Sequence, residues 1–168
     1  MAITFQRSVL SVLLATALTP SLGRAAEPQQ PLENIEVIGI TPLGGVGLAA
    51  DKIPSNVQTA TAEDIERQQA LDISDFMNQT LGSISINQAQ NNPFQPDLKF
   101  RGFTASPLVG NAQGVSVYQD GVRINEPFGD AVNFELLPKS AIANMNMMSG
   151  SNPLFGLNTL GGALSLQT

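Results

Sequence analysis

"VSVYQDGVRI", Val115–Ile124, is the stretch whose reading decides the fold. Val115 and Val117 alternate with Ser116 and Tyr118, the period of two that sends successive side chains to opposite faces of a strand. Asp120-Gly121 then interrupts the alternation. A two-residue type I′ turn needs positive φ at both central positions, which aspartate tolerates and glycine adopts freely. The stretch predicts a β-hairpin. The same period recurs on both sides of it, at Ile84 and Ile86, Leu98 and Phe100, Met145 and Met147 (in a segment opening at Ile142), and Leu164 and Leu166. These predict half-buried strands. Glycine- and proline-rich connections over 88–96, 102–114, 125–138 and 149–161 separate them, and loops this long in a compact domain point to work beyond connection.

Two helix starts precede the strands. Thr61 with Asp64 has the form of a capping box, hydroxyl and carboxylate each satisfying a free N–H, and Ile65 then faces a core. Asp72 with Asp75 opens a second helix over Ile73 to Thr80, with Leu71 and Phe76 placed as a hydrophobic staple and Gly82 as its C-terminal glycine. The sum is an α+β fold: a small mixed-sheet domain, 57–168, with short helices and long loops.

The amino terminus reads differently. Arg7 leads into a largely apolar run, Ser8–Leu22, and Gly23 and Ala25 stand where a signal peptidase cuts. Residues 1–25 are therefore expected to be a secretory signal peptide. Pro20 and the shortness of the run argue against a membrane anchor, which needs about 20 apolar residues. Residues 26–56 form an expected extension. "EPQQPLEN" is polar and extended, "IEVIGITPLGG" (Ile35–Gly45) is a short strand with no obvious partner in the chain, and 44–56 reads as linker.

The whole chain of 168 residues carries 8 Lys+Arg against 14 Asp+Glu. Without Arg7 and Arg24 the balance is six against fourteen, a net −8. Such a surface repels nucleic acid, so no nucleic-acid partner is expected. With no Cys and no His, disulfides, the usual zinc sites and Cys- or His-based catalytic pairs are excluded. Glu63, Asp64, Glu66, Asp72 and Asp75 sit at helix starts, where they favour the dipole. Glu126 and Asp130 share the loop "NEPFGD", either as solvated charges or as ligands for a cation. The glycine-rich runs lack the GK[ST] ending of a phosphate loop. No activated nucleophile is visible, so the chain reads as a non-enzyme without a cofactor. Arg101, directly before Gly102 at a strand end, is either an exposed charge or a cation aimed at a carboxylate elsewhere.

Taken in order, the signal segment, "IEVIG", two capped helices, "LKFRGF", "VSVYQDGVRI" and "PLFGLNTLGGALSLQT" resemble the N-terminal plug domain of a TonB-dependent outer-membrane receptor, over about Ile35 to Thr168. The resemblance implies a domain seated in a large β-barrel and engaged in energised uptake of a scarce nutrient, often an iron chelate. It implies that Ile35, Glu36, Val37, Ile38 and Gly39 form the TonB box, which adds as a strand to the periplasmic partner TonB. It implies that Arg101 and Gly102 are the family's "RG", whose arginine pairs with barrel acids. Asp120-Gly121 answers to its "DG", and Gly156, Gly161 and Gly162 to its closing glycines. Ser149 stands where a second arginine is common, which puts half of the ionic latch in doubt. Phe94, Phe103 and Phe128 fall in the candidate outer loops. The ligand is not legible. The chain closes on "NTLGGALSLQT", a strand at the junction where a barrel is expected to follow, so the chain is expected to be a fragment of a receptor. The alternative is an independent periplasmic module that contacts TonB or a ligand.

Overall fold

The computed structural model describes residues 37–39 and 47–168. The expected signal peptide, and Ile35 and Glu36 of the expected TonB box, lie outside the described residues. The elements in chain order are β1 (Val37–Gly39), β2 (Gly47–Ala49), β3 (Val57–Thr61), α1 (Ala62–Gln68), α2 (Ile73–Thr80), β4 (Ile84–Gln88), β5 (Pro96–Phe100), β6 (Phe103–Ala105), β7 (Val115–Gln119), β8 (Val122–Arg123), β9 (Asn144–Ser149) and β10 (Gly162–Gln167). Short 3₁₀ turns punctuate the loops, as at Phe134–Leu136 and Pro153–Phe155.

Three sheets result among the described residues. The largest has the order β3-β9-β10-β7-β8, with β10 parallel to β7 and every other neighbour antiparallel. β4, β5 and β6 form an antiparallel meander, and β1 pairs with β2. The architecture is the expected α+β with mixed sheets.

Both predicted helices form because their first turns are capped by side chains. Thr61 Oγ1 accepts from the Asp64 N–H at 3.4 Å while the Asp64 carboxylate accepts the Thr61 N–H at 3.1 Å, completing the box. The Thr61 side chain and backbone hold the Asp64 carboxyl below its usual range. Asp72 accepts from the Asp75 N–H at 2.7 Å. The α2 face carrying Ile73, Phe76 and Met77 packs with Leu98, Phe100, Val115, Val117, Val132, Phe134, Met145, Met147, Leu164 and Leu166 into the main core.

The structure corrects four expectations. The staple does not form: Leu71 is 93% exposed, and the inward place is taken by Ala70, whose carbonyl receives the Lys139 ammonium. Gly82 does not end α2 in a left-handed cap. Leu81 caps it in extended conformation with its side chain buried, and Ser83 takes the positive φ instead. Gly82 serves the side chain of Gln58, which bonds both its N–H and its carbonyl. The short strand at Val37–Gly39 does have a partner in the chain, because Gly47–Ala49, within the stretch read as linker, is a strand.

The fourth correction concerns β7, β9 and β10, which are buried on both faces rather than one. Residues 150–161 fold back over the second face and build a smaller cluster of Tyr118, Met148, Phe155 and Ala163. Tyr118 and Phe155 meet edge to face, 5.6 Å between centroids. The Tyr118 hydroxyl donates to the Phe155 carbonyl, as does the Thr159 hydroxyl at 3.0 Å, and Thr159 also bonds Ser116 Oγ at 2.6 Å. Burial pushes the Tyr118 phenol upward. The polar positions of the alternating strands are thus sealed by a loop that the period alone does not reveal.

Two predictions follow from this packing. A Cβ on Gly162 would strike the Met148 carbonyl, a backbone atom that cannot swing away. Gly162→Ala is expected to lose about 1–3 kcal/mol in urea unfolding with an unchanged slope. The Asp120 carboxylate accepts the Thr168 N–H at 2.9 Å and the Thr168 hydroxyl at 2.7 Å, and both bonds lower its pKa. A depressed folded pKa makes the clamp present at neutral pH and lost as pH falls through that pKa. NMR titration is expected to find Asp120 titrating below ordinary aspartates, and Thr168→Val to move it upward.

Candidate functional site

Two surfaces carry the residues that the sequence singles out. The first is the hairpin joining β5 to β6. Phe100 faces Phe103 across the ladder, so Arg101 and Gly102 are the whole connection. Arg101 has φ 51° and Gly102 φ 89°, matching Asp120 at 48° and Gly121 at 82° in the β7–β8 hairpin. "RG" and "DG" are therefore the same device, a two-residue turn with both residues left-handed. No atom lies within 4 Å of where a Cβ on Gly102 would stand, so glycine is there for its φ and not for room. An arginine in this conformation carries a cost on the order of 1 kcal/mol that asparagine or glycine would largely avoid.

The turn presents Arg101 outward. Its guanidinium lies 5.5 Å from the centroid of the Phe100 ring, a cation–π contact that orients the head group while leaving its N–H fork open. Among the described residues Arg101 makes no ion pair. Arg67 pairs with Glu63 and Asp64, and Arg123 with Asp130. Ser149, in the position of the second arginine, spends both its N–H and its hydroxyl on the Asn56 carbonyl, at 3.1 and 3.0 Å. It joins the head of β3 to the foot of β9 and offers no charge.

The second surface is the N-terminal strand. Val37, Ile38 and Gly39 pair antiparallel with Ala49, Leu48 and Gly47. β1 and β2 form a two-stranded sheet of their own, without a ladder to the main sheet among the described residues.

The long loops are pinned to each other. Asp130 accepts from Arg123 Nη2 at 3.1 Å and from Asn158 Nδ2 at 2.6 Å, joining loops 124–133 and 150–161. Glu126 accepts from Asn133 at 2.7 Å. The two carboxylates thus hold different partners within the domain. Asn125, which the sequence does not single out, is the hub. It accepts the Val117 N–H at 2.7 Å and donates to the Val115 carbonyl at 3.1 Å and the Asp130 carbonyl at 3.3 Å. Its only sequence signal is a polar residue following Ile124 where the hairpin strand ends. Gln113 plays a like part, accepting the Ser106 N–H at 2.9 Å. Of the three phenylalanines placed in outer loops, Phe94 and Phe128 are 77% and 78% exposed. Phe103 is instead a β6 residue whose ring covers Gly114 and Gly161, where any Cβ would collide with it.

The comparisons with known proteins agree with this architecture. The chain matches the profile of the TonB-dependent Receptor Plug Domain over residues 49–163. It is 25% identical over 164 residues to the vitamin B12 transporter BtuB of Vibrio cholerae serotype O1, covering 97% of this chain and 25% of that protein. The chain thus spans about a quarter of the length of the curated relatives it matches. Among solved structures, the alcaligin outer-membrane receptor FauA of Bordetella pertussis superposes with a TM-score of 0.57 at 19% identity, over 79% of this chain and 21% of that one. The ferric preacinetobactin receptor BauA of Acinetobacter baumannii gives 0.54 at 22% identity, over 79% and 18%. With the profile match covering more than half of its residues, the chain belongs to the TonB-dependent receptor plug-domain family.

Proposed function

We propose that this chain acts as the plug of a TonB-dependent outer-membrane receptor, closing the lumen of a β-barrel supplied by the rest of the receptor and taking part in energised uptake of a scarce nutrient such as an iron chelate. In this reading residues 1–25 direct export, 26–56 form a periplasmic extension, and 57–168 are the plug proper. The assembled receptor resides in the outer membrane, and the 168 residues alone would stay in the periplasm without transporting anything.

The observation that carries the reading is the plug-domain match itself, joined to a short strand ahead of it that pairs outside the main sheet. Ile35–Gly39 serve as the TonB box, and TonB adds to them as a strand, with main-chain hydrogen bonds supplying the affinity. Arg101 serves as a contact to the barrel wall. Its support is the contrast with Arg67 and Arg123: it sits on a strained, exposed turn without an intrachain carboxylate among the described residues. A bidentate carboxylate partner on the barrel would complete it. The chain carries more acids than bases, so an arginine that pairs with none of the described ones favours an outside partner.

Val37→Pro is expected to abolish crosslinking of the chain to the TonB C-terminal domain, because proline removes a donor from the added strand. Retained crosslinking would displace the box from 35–39. In the assembled receptor, Arg101→Ala is expected to weaken retention of the plug by about 1.5–3 kcal/mol, read as earlier release in a urea series, with Arg101→Lys recovering only part because it loses the planar fork. An unchanged series would remove Arg101 from the interface.

A further inference from the structure

Three long loops at one end of the main sheet are joined to each other in a closed ring. β7 begins at Val115 and its parallel partner β10 at Gly162, and these two residues face each other. Loop 106–114 leads into the first, loop 150–161 leads into the second, and loop 124–133 departs from β8 beside them. The Val132 N–H donates to the Ser106 carbonyl at 2.9 Å, tying the loop after β8 to the loop after β6. The Asn158 amide donates to the Asp130 carboxylate at 2.6 Å, tying the loop after β9 to the loop after β8. The Leu160 and Gly161 N–H groups both donate to the Gly114 carbonyl, at 3.0 and 2.8 Å, and close the ring.

Two side-chain amides hold the ring to the strands. β6 ends at Ala105, and Gln113 takes up the pairing from there. Its oxygen accepts the Ser106 N–H at 2.9 Å, and its nitrogen donates to the Ser106 and Leu108 carbonyls, each at 3.3 Å. β8 ends at Arg123, and Asn125 continues along β7 in the same manner. Its oxygen accepts the Val117 N–H at 2.7 Å and its nitrogen donates to the Val115 carbonyl at 3.1 Å. Each amide offers the backbone an acceptor and a donor, as a further strand residue would. A carboxylate of the same shape offers acceptors alone. Gln113 and Asn125 are both buried, so a bond lost here leaves a polar group without water to replace it.

Packing follows the bonds. A Cβ on Gly129 would stand 2.9 Å from Val109 Cγ1, which brings the first two loops into contact. The Phe103 ring fills the space over Gly114 and Gly161, where the first and third meet. Each loop is therefore linked to both of the others, and none can leave without breaking two of the three links. In an open row an end loop would break only one. β3, at the opposite edge of the sheet, contributes no link to the ring.

We propose that loops 106–114, 124–133 and 150–161 are one cooperative unit that opens and closes together, with Gln113 and Asn125 as the positioning residues that hold it on the sheet. A disturbance entering at one loop is then felt at the other two, and the coupling is reciprocal. The proposal concerns the chain itself and is independent of the barrel and of TonB.

Hydrogen exchange of the full chain, followed peptide by peptide, tests it with two substitutions. Gln113→Glu keeps the shape and removes the donor, and the Gln113 side chain bonds no residue of 150–161. Asn158→Gly suits the φ of 61° at that exposed position and removes the link to Asp130. Gln113→Glu is expected to speed exchange by about tenfold, the weight of one net hydrogen bond, in 126–131 and 150–161 as well as in 106–112. β3 and β9 are expected to keep their original rates. Asn158→Gly is expected to speed 106–112 and 126–131 with the same selectivity, and it decides the matter alone should the buried carboxylate keep Gln113→Glu from folding. Acceleration limited to the loop that carries the substitution, or spread equally over β3 and β9, would overturn the proposal.

Discussion

Gly162 lies where the backbone of β10 approaches the Met148 carbonyl so closely that no side chain fits, and the rest of the molecule is arranged around that approach. β10 is the strand with β9 on one side and β7 on the other, antiparallel to the first and parallel to the second. Its Leu164 and Leu166 face the main core, and its Ala163 faces the smaller cluster. Gly161 beside it admits the Phe103 ring, which ties the meander to the main sheet. A central strand that opens on a glycine and an alanine, with Gly161 just before it, allows close packing on both faces at once.

The long loops gain their order from the neighbouring strand β7 and from each other. Residues 150–161 leave β9, fold over the sheet and return to β10, and they are held by the Phe155 carbonyl, which accepts from both Tyr118 and Thr159. Asn158 carries the order on to Asp130, and Asn125 and Arg123 carry it to the loop after β8. The polar side chains of this network are paired inside the domain, and Phe128 in the same loop is left exposed.

Much of this was legible beforehand. Helix starts were readable because caps are local: Thr61 and Asp64, and Asp72 and Asp75, satisfy donors three residues away. The Asp120-Gly121 hairpin was readable because only certain residues accept its φ values. Strand pairing order was not, since the parallel match of β10 with β7 joins residues 47 apart, as Gly162 with Val115, which no short pattern records. The second buried face was hidden for the same reason, because Phe155 and Thr159 lie in a stretch that reads only as loop. Leu71 and Gly82 misled because two local rules were available at each place and tertiary partners, Lys139 and Gln58, decided between them. At the candidate sites, Arg101 drew attention through its neighbour glycine, whereas Asn125 carries no distinguishing neighbour at all.

The account turns on Val37–Gly39 being the separable strand that a partner takes while the sheet behind it stays folded. Hydrogen exchange of the full chain, with and without the TonB C-terminal domain, tests this most directly. The account predicts altered protection confined to the segments around 35–39 and 47–49, with β3, β7, β9 and β10 remaining the slowest to exchange. Altered protection centred on the main sheet, with 35–39 unchanged, would contradict it.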